Sequence, residues 1–128
     1  MAINVLVVDD DPGVRGVLDR FLSRRGYSVE TVEDGETALR KIREREPDVL
    51  LLDVYLPGIS GMDVLYTLQG EGRMIPTLAF SGMPDDQMAR ETVLLGASDF
   101  IYKPFALTHL ENDMVGKLSA MGFGLPSA

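Results

Sequence analysis

Two rhythms of apolar residues alternate along the chain. One is the short unbroken run: Ile3 to Val8 (INVLVV), Asp48 to Asp53 (DVLLLD) and Ile75 to Ser81 (IPTLAFS) are strand-length and suit strands covered on both faces. Tyr27 to Val32 (YSVETV) and Ser98 to Tyr102 (SDFIY) are weaker runs of the same kind. The other rhythm is helical. Val14, Val17, Leu18, Phe21 and Leu22 recur at i, i+3, i+4, i+7 and i+8, predicting a helix that starts at Pro12 and stops at Gly26. Asp34 caps a second helix, which turns Ala38, Leu39 and Ile42 inward, keeps RKIRERE wet and ends before Pro47. A short helix follows from about Met62 to Gln69. A polar helix with a weak apolar stripe (Met88, Val93, Leu94) comes next, and a last helix runs through LTHLENDMVGKL, Leu107 to Leu118.

Strand and helix thus alternate five times with no repeat, low-complexity run or internal linker. Because parallel strands need crossover helices of one hand, the pattern predicts an α/β domain with a parallel sheet and helices on both faces. That domain is expected over residues 1–120, with MGFGLPSA, residues 121–128, a frayed tail or the start of a linker.

Composition narrows the function classes. With 128 residues, 45% of them apolar and 25% charged, the chain fits one domain with a single core. No cysteine is present, which excludes disulfides, thiolate metal sites and a thiol nucleophile. The apolar runs are too short to span a membrane and Asp9 interrupts the first too early for a signal peptide, so a cytoplasmic protein is expected. A net charge of −8 argues against direct nucleic-acid binding, which relies on clustered Lys and Arg. It does not argue against a cation.

The acids are the informative feature. In open α/β sheets the site lies outside the carboxyl ends of the strands. The residues predicted there are Asp9, Asp10 and Asp11 after the first strand, Asp53 after the third, Ser81 after the fourth and Lys103 after the fifth. Carboxylates gathered so closely repel one another unless a cation sits among them. Hard oxygen donors without His or Cys point to Mg2+, with Mn2+ an acceptable substitute. Asp53 has the chemistry of a nucleophile toward phosphorus, and Lys103 and the Ser81 hydroxyl can take phosphoryl oxygens. Each residue alone has a plainer reading. Three acids can be an exposed turn and helix cap, Asp53 a polar strand end, Ser81 a cap and Lys103 a surface lysine.

VLVVDDD, VLLLDVYLPGISGMDVL, TLAFSG and GASDFIYKPF occur in an order and spacing that resembles the receiver domain of two-component response regulators, across the chain to about Leu118. The resemblance implies a flavodoxin-like sheet of order 2-1-3-4-5. It makes Asp53 the phospho-acceptor, Asp9 and Asp10 the acidic pair around Mg2+, and the backbone carbonyl of Tyr55 a further ligand. Ser81 becomes the switch hydroxyl, Phe100 the switch aromatic and Lys103 the salt-bridging lysine, with Lys103-Pro104 a cis peptide in the family. Asp11 falls where the family varies and is not expected to be a ligand. His109, the sole histidine, is expected on the outer face of the last helix, without phosphohistidine chemistry of its own. The implied partners are a sensor histidine kinase or histidine phosphotransfer protein and a downstream target or output domain, and some members form homodimers on phosphorylation. Access of hydrolytic water is set in the family by the positions of Tyr55 and Met83. Neither side chain orients water, so slow loss of the phosphoryl group is expected.

Two other readings compete. Asp9-x-Asp11 after a first strand, with a later Ser and Lys, also resembles the haloacid-dehalogenase phosphatases, in which the first Asp is the nucleophile. KPFALTH lacks that family's further acidic pair. A receiver-like module that binds partners without phosphorylation is the third reading, although the acceptor, acids and lysine are all present.

Overall fold

A computed structural model of the chain describes residues 2–81, 86–102 and 107–124, with side chains at all of these except 86, 88, 102 and 107–113. The elements are β1 (Asn4–Val8), α1 (Pro12–Arg24), β2 (Ser28–Val32), α2 (Gly35–Glu44), β3 (Val49–Asp53), α3 (Gly61–Gly70), β4 (Thr77–Ser81), α4 (Asp86–Leu94), β5 (Asp99–Tyr102) and α5 (Leu107–Ala120). They form one parallel sheet in the order β2-β1-β3-β4-β5. This is the flavodoxin-like arrangement expected, with its switch in strand order between β1 and β3. Among the described residues no helix is long and apolar enough to cross a membrane.

The unbroken apolar runs form strands because both sides of the sheet are covered. Leu6, Val8, Leu50, Leu52 and Ala79 pack with Ala38, Leu39 and Ile42 of α2 and Val64, Leu65 and Leu68 of α3. The alternate residues Val5, Val7, Val49, Leu51, Leu78 and Phe80 pack with Leu18 and Leu22 of α1 and Met114 and Leu118 of α5. A strand that must bury both faces has no room for polar alternation.

Regular pairing begins later than the apolar runs suggest. Asp48 is a turn residue whose Oδ2 accepts from the Asn4 amide at 2.7 Å, and Pro76, with no N–H to give a ladder, precedes β4. The stripe expected on α4 is also corrected. Val93 and Leu94 are exposed, while Thr92 is buried with its hydroxyl donating to the Ala89 carbonyl at 2.8 Å. A threonine can face inward because that bond satisfies its hydroxyl within the helix. The side chains of Met88 and His109 lie outside the described residues.

The end of α5 shows why the chain does not stop packing at residue 120. Gly122, at φ 92°, lets the Phe123 amide reach back to the Leu118 carbonyl at 2.8 Å and its own amide reach Ser119 at 3.0 Å. That paired closure brings Phe123 onto the core beside Leu118. Helix α1 ends with the same two bonds, and the Tyr27 that follows it donates its hydroxyl to the Phe123 carbonyl at 2.6 Å. The α1 and α5 ends are thereby tied together across 96 residues of sequence.

One close approach sets the position of α3. A Cβ on Gly61 would lie 2.3 Å from the Asp53 carbonyl oxygen and 2.7 Å from the Val54 Cα, and the Gly61 amide donates to the Val54 carbonyl at 2.7 Å. Ser60 caps the helix through the Asp63 amide at 3.1 Å, with Asp63 returning a bond to the Ser60 amide at 2.9 Å. Urea unfolding should therefore show Gly61→Ala destabilised by about 2 kcal/mol or more, the cost of overpacking against backbone that cannot yield. Gly16→Ala, at a mid-helix position with nothing within 4 Å, should instead gain roughly 0.5–1 kcal/mol.

Candidate functional site

The three acids after β1 have three different fates. Asp9 continues the sheet, its amide donating to the Val32 carbonyl at 3.1 Å, and its carboxylate is buried with Oδ1 accepting from the Asp11 amide at 2.9 Å. Asp10 is exposed. Asp11 is the N-cap of α1, its Oδ1 accepting from the Gly13 amide at 2.8 Å. One of the like charges is thus spent on the helix and two are left at the strand end. Arg15, one turn into α1, donates from Nη1 to the Asp9 carbonyl at 2.7 Å.

Asp53 ends β3 and is only 3% exposed. Its Oδ1 accepts from the Tyr55 amide at 3.0 Å. Sheet register brings it to Asp9: Val8 pairs with Leu52, so the residues after them leave adjacent strands side by side. Carboxylate oxygens of Asp9, Asp10 and Asp53 lie within 4.8 Å of one another. An all-oxygen set at that spacing fits a hard divalent cation and has none of the nitrogen or sulfur donors that zinc or copper prefer. The acidic cluster is therefore one that can bind a metal.

The other residues singled out from the sequence lie on the strands beyond β3. Ser81 ends β4, fully buried, one residue past the Phe80 that pairs with Asp53. The Val54 amide donates to the Phe80 carbonyl at 3.0 Å, which binds the end of β3 to β4. Phe100 in β5 pairs with Ala79 and is half-buried against the α2–α3 side of the core. Tyr55 projects from the end of β3 with its residue 45% exposed. Lys103, its Pro104 and Met83 lie outside the described residues.

Two features of this edge, and one at the opposite end of β5, escaped sequence reasoning. Arg15 was indistinguishable from the surface arginines of α1, and Gly61 fell just before the helix expected from about Met62. The third is Asp99, next to Phe100. Its Oδ2 pairs with Lys117 Nζ at 2.8 Å and its Oδ1 accepts from the Phe100 amide at 2.8 Å. Burial pushes the Asp99 carboxyl up, but the Lys117 ammonium and the Phe100 amide outweigh it and hold the group below its usual value. The pair fastens β5 to the last turn of α5 and caps an edge-strand amide.

Comparisons with known proteins agree with this geometry. The family model of the response regulator receiver domain matches residues 5–114. The response regulator MprA of Mycobacterium tuberculosis is 42% identical over 110 residues, covering 86% of this chain and 48% of that protein. The chain thus spans about half the length of the curated relatives it matches. Among solved structures, a putative response regulator from Chloroflexus aurantiacus superposes with a TM-score of 0.81 at 30% identity, covering 93% of this chain and 99% of that one. NtrX from Brucella abortus gives 0.82 at 31% identity, over 95% of this chain and 28% of that one. With the acid cluster at the switch in strand order and the match running through every strand, the chain belongs to the response regulator receiver domains of two-component systems.

Proposed function

We propose that this receiver is a phosphorylation switch in which Asp53 accepts a phosphoryl group from the phosphohistidine of a sensor kinase or phosphotransfer protein, or from a small phosphodonor. The observation that carries the reading is the buried Asp53 carboxylate within 4.8 Å of those of Asp9 and Asp10. Three carboxylates cannot receive a phosphate electrostatically unaided. Asp9, Asp10 and Asp53, with the Tyr55 carbonyl, would hold Mg2+, which supplies the charge neutralisation that lets an anionic nucleophile approach an anionic phosphoryl group.

The chain's own residues do the rest. The Tyr55 amide fixes the rotamer of Asp53 through Oδ1, so that the carboxylate is presented in one orientation. A carboxylate oxygen attacks phosphorus in line, the O–P bond forms as the P–N bond breaks, and the imidazole departs with the electron pair. Lys103 pairs with a phosphoryl oxygen, and the Ser81 hydroxyl donates to another. Ser81 moving toward the acceptor vacates space that Phe100 fills by turning inward, which changes the α4–β5–α5 surface where a target, an output domain or a second copy would dock. Differential stabilisation of a few kcal/mol is enough to shift such an equilibrium.

Intact mass spectrometry after incubation with phosphoramidate and Mg2+ tests the reaction. One phosphoryl adduct is expected on the wild type and none on Asp53→Asn or in a chelator control; no adduct on any folded sample would favour a module that binds partners without phosphorylation. The lifetime of the adduct is the second prediction. Because Tyr55 and Met83 offer no carboxylate or amide to orient water, the phosphorylated form should be long-lived, and Tyr55→Asn with Met83→Glu should shorten its half-life about tenfold or more. An unchanged half-life in that double variant would remove water access as the control.

A further inference from the structure

The turn that carries Asp9 and Asp10 is fixed at three successive peptide groups, one by the sheet, one by its own side chain and one by a side chain of α1. The peptide entering Asp9 is held by the sheet, through the Asp9 amide and the Val32 carbonyl at 3.1 Å. The peptide leaving Asp10 is held locally, through the Asp11 amide and Asp9 Oδ1 at 2.9 Å. Between them lies the Asp9–Asp10 peptide. Its carbonyl is taken by the Arg15 guanidinium at 2.7 Å, six residues on and already inside α1.

That middle peptide decides where Asp10 points. Asp10 is exposed, and among the described residues no hydrogen bond or ion pair to its carboxylate is found. A side chain without partners of its own is directed by the backbone dihedrals on either side of it, and a planar peptide held at its oxygen fixes one of that pair. We propose that Arg15 is a positioning residue: by holding the Asp9 carbonyl it keeps the Asp10 carboxylate turned toward Asp9 and Asp53. In its metal aspect the proposal rests on the reading of these acids as a cation site.

The choice of arginine makes the idea testable by sign. A guanidinium beside three carboxylates lowers the local negative potential, so a residue acting through charge alone would weaken cation binding and its removal would tighten it. A residue acting through geometry does the opposite, because a ligand that wanders costs affinity on the scale seen when supports of metal ligands are lost. The planar fork of arginine, anchored in the first turns of a helix, suits the geometric role.

The experiment compares the wild type with Arg15→Met and Arg15→Lys in two measurements. In chelator, hydrogen exchange at the Asp10 and Asp11 amides should be accelerated about tenfold in Arg15→Met, with protection in the strand cores unchanged. In Mg2+ titration calorimetry, Arg15→Met should bind about tenfold more weakly despite losing a positive charge, and Arg15→Lys, which keeps a donor group without the planar fork, should fall between. Tighter or unchanged Mg2+ binding in Arg15→Met, or unaltered exchange in the turn, would overturn the proposal. If the wild type binds no Mg2+, the cation reading fails by itself and the exchange measurement still decides whether Arg15 holds the turn. Should Arg15→Met lose strand-core protection, Arg15→Gln, which preserves a planar donor, takes its place with the same expected direction.

Discussion

Repulsion among carboxylates is the constraint around which the carboxyl edge of the sheet is built. At 4.8 Å and an effective dielectric of about 20, each pair of unit charges repels by on the order of 3 kcal/mol. Two of the three groups are buried, so water does little to relieve them. The fold tolerates this because the strand ends are held by apolar packing on both sides, far from where the charges act. Local dipoles are turned to help: the Asp11 amide faces Asp9 and the Tyr55 amide faces Asp53. Carboxylates gathered at an edge held in this way form a cluster that can bind a hard cation.

The sequence was most legible where hydrophobicity acts alone. Runs such as VLVV and VLLL admit little but a strand covered on both faces, and the i, i+3, i+4 stripes of α1 and α2 match the residues that pack. The acids were legible as a group because four of them sit at the ends of apolar runs, where the alternation of strand and helix must gather them. Legibility failed where a partner distant in sequence decides the outcome. The segment after α5 reads as a frayed tail until Gly122 turns the chain and Tyr27 meets the Phe123 carbonyl. Thr92 reads as a wet position until its hydroxyl bonds within the helix and it turns inward in place of Val93. Asp99 and Lys117 lie on different elements, and neither residue carries a mark of the other.

The division of labour between strands follows from their places in the sheet. β1 and β3 are interior, each paired on both sides, and they bear the acids. An element gripped on both edges is poorly suited to move, and a set of ligands gains from that stiffness. Ser81 and Phe100 stand on β4 and β5, toward the free edge of the sheet. β5 has only one neighbouring strand, is four residues long, and precedes the helix to which Asp99 binds it.

A switch needs this asymmetry. If the acids sat on the free edge, charge introduced at Asp53 would be relieved by movement of the site itself and little would reach the surface. With the acids fixed between interior strands, relief must come from groups that can approach, and the β4–β5 side is where the sheet offers them. The Asp99–Lys117 pair then has a specific consequence. It ties β5 to the last turn of α5, so under the proposed switch a displacement of Phe100 would be carried toward that helix. The interior strands hold the acids, and under the proposed switch the edge strand would carry the effect of phosphorylation outward.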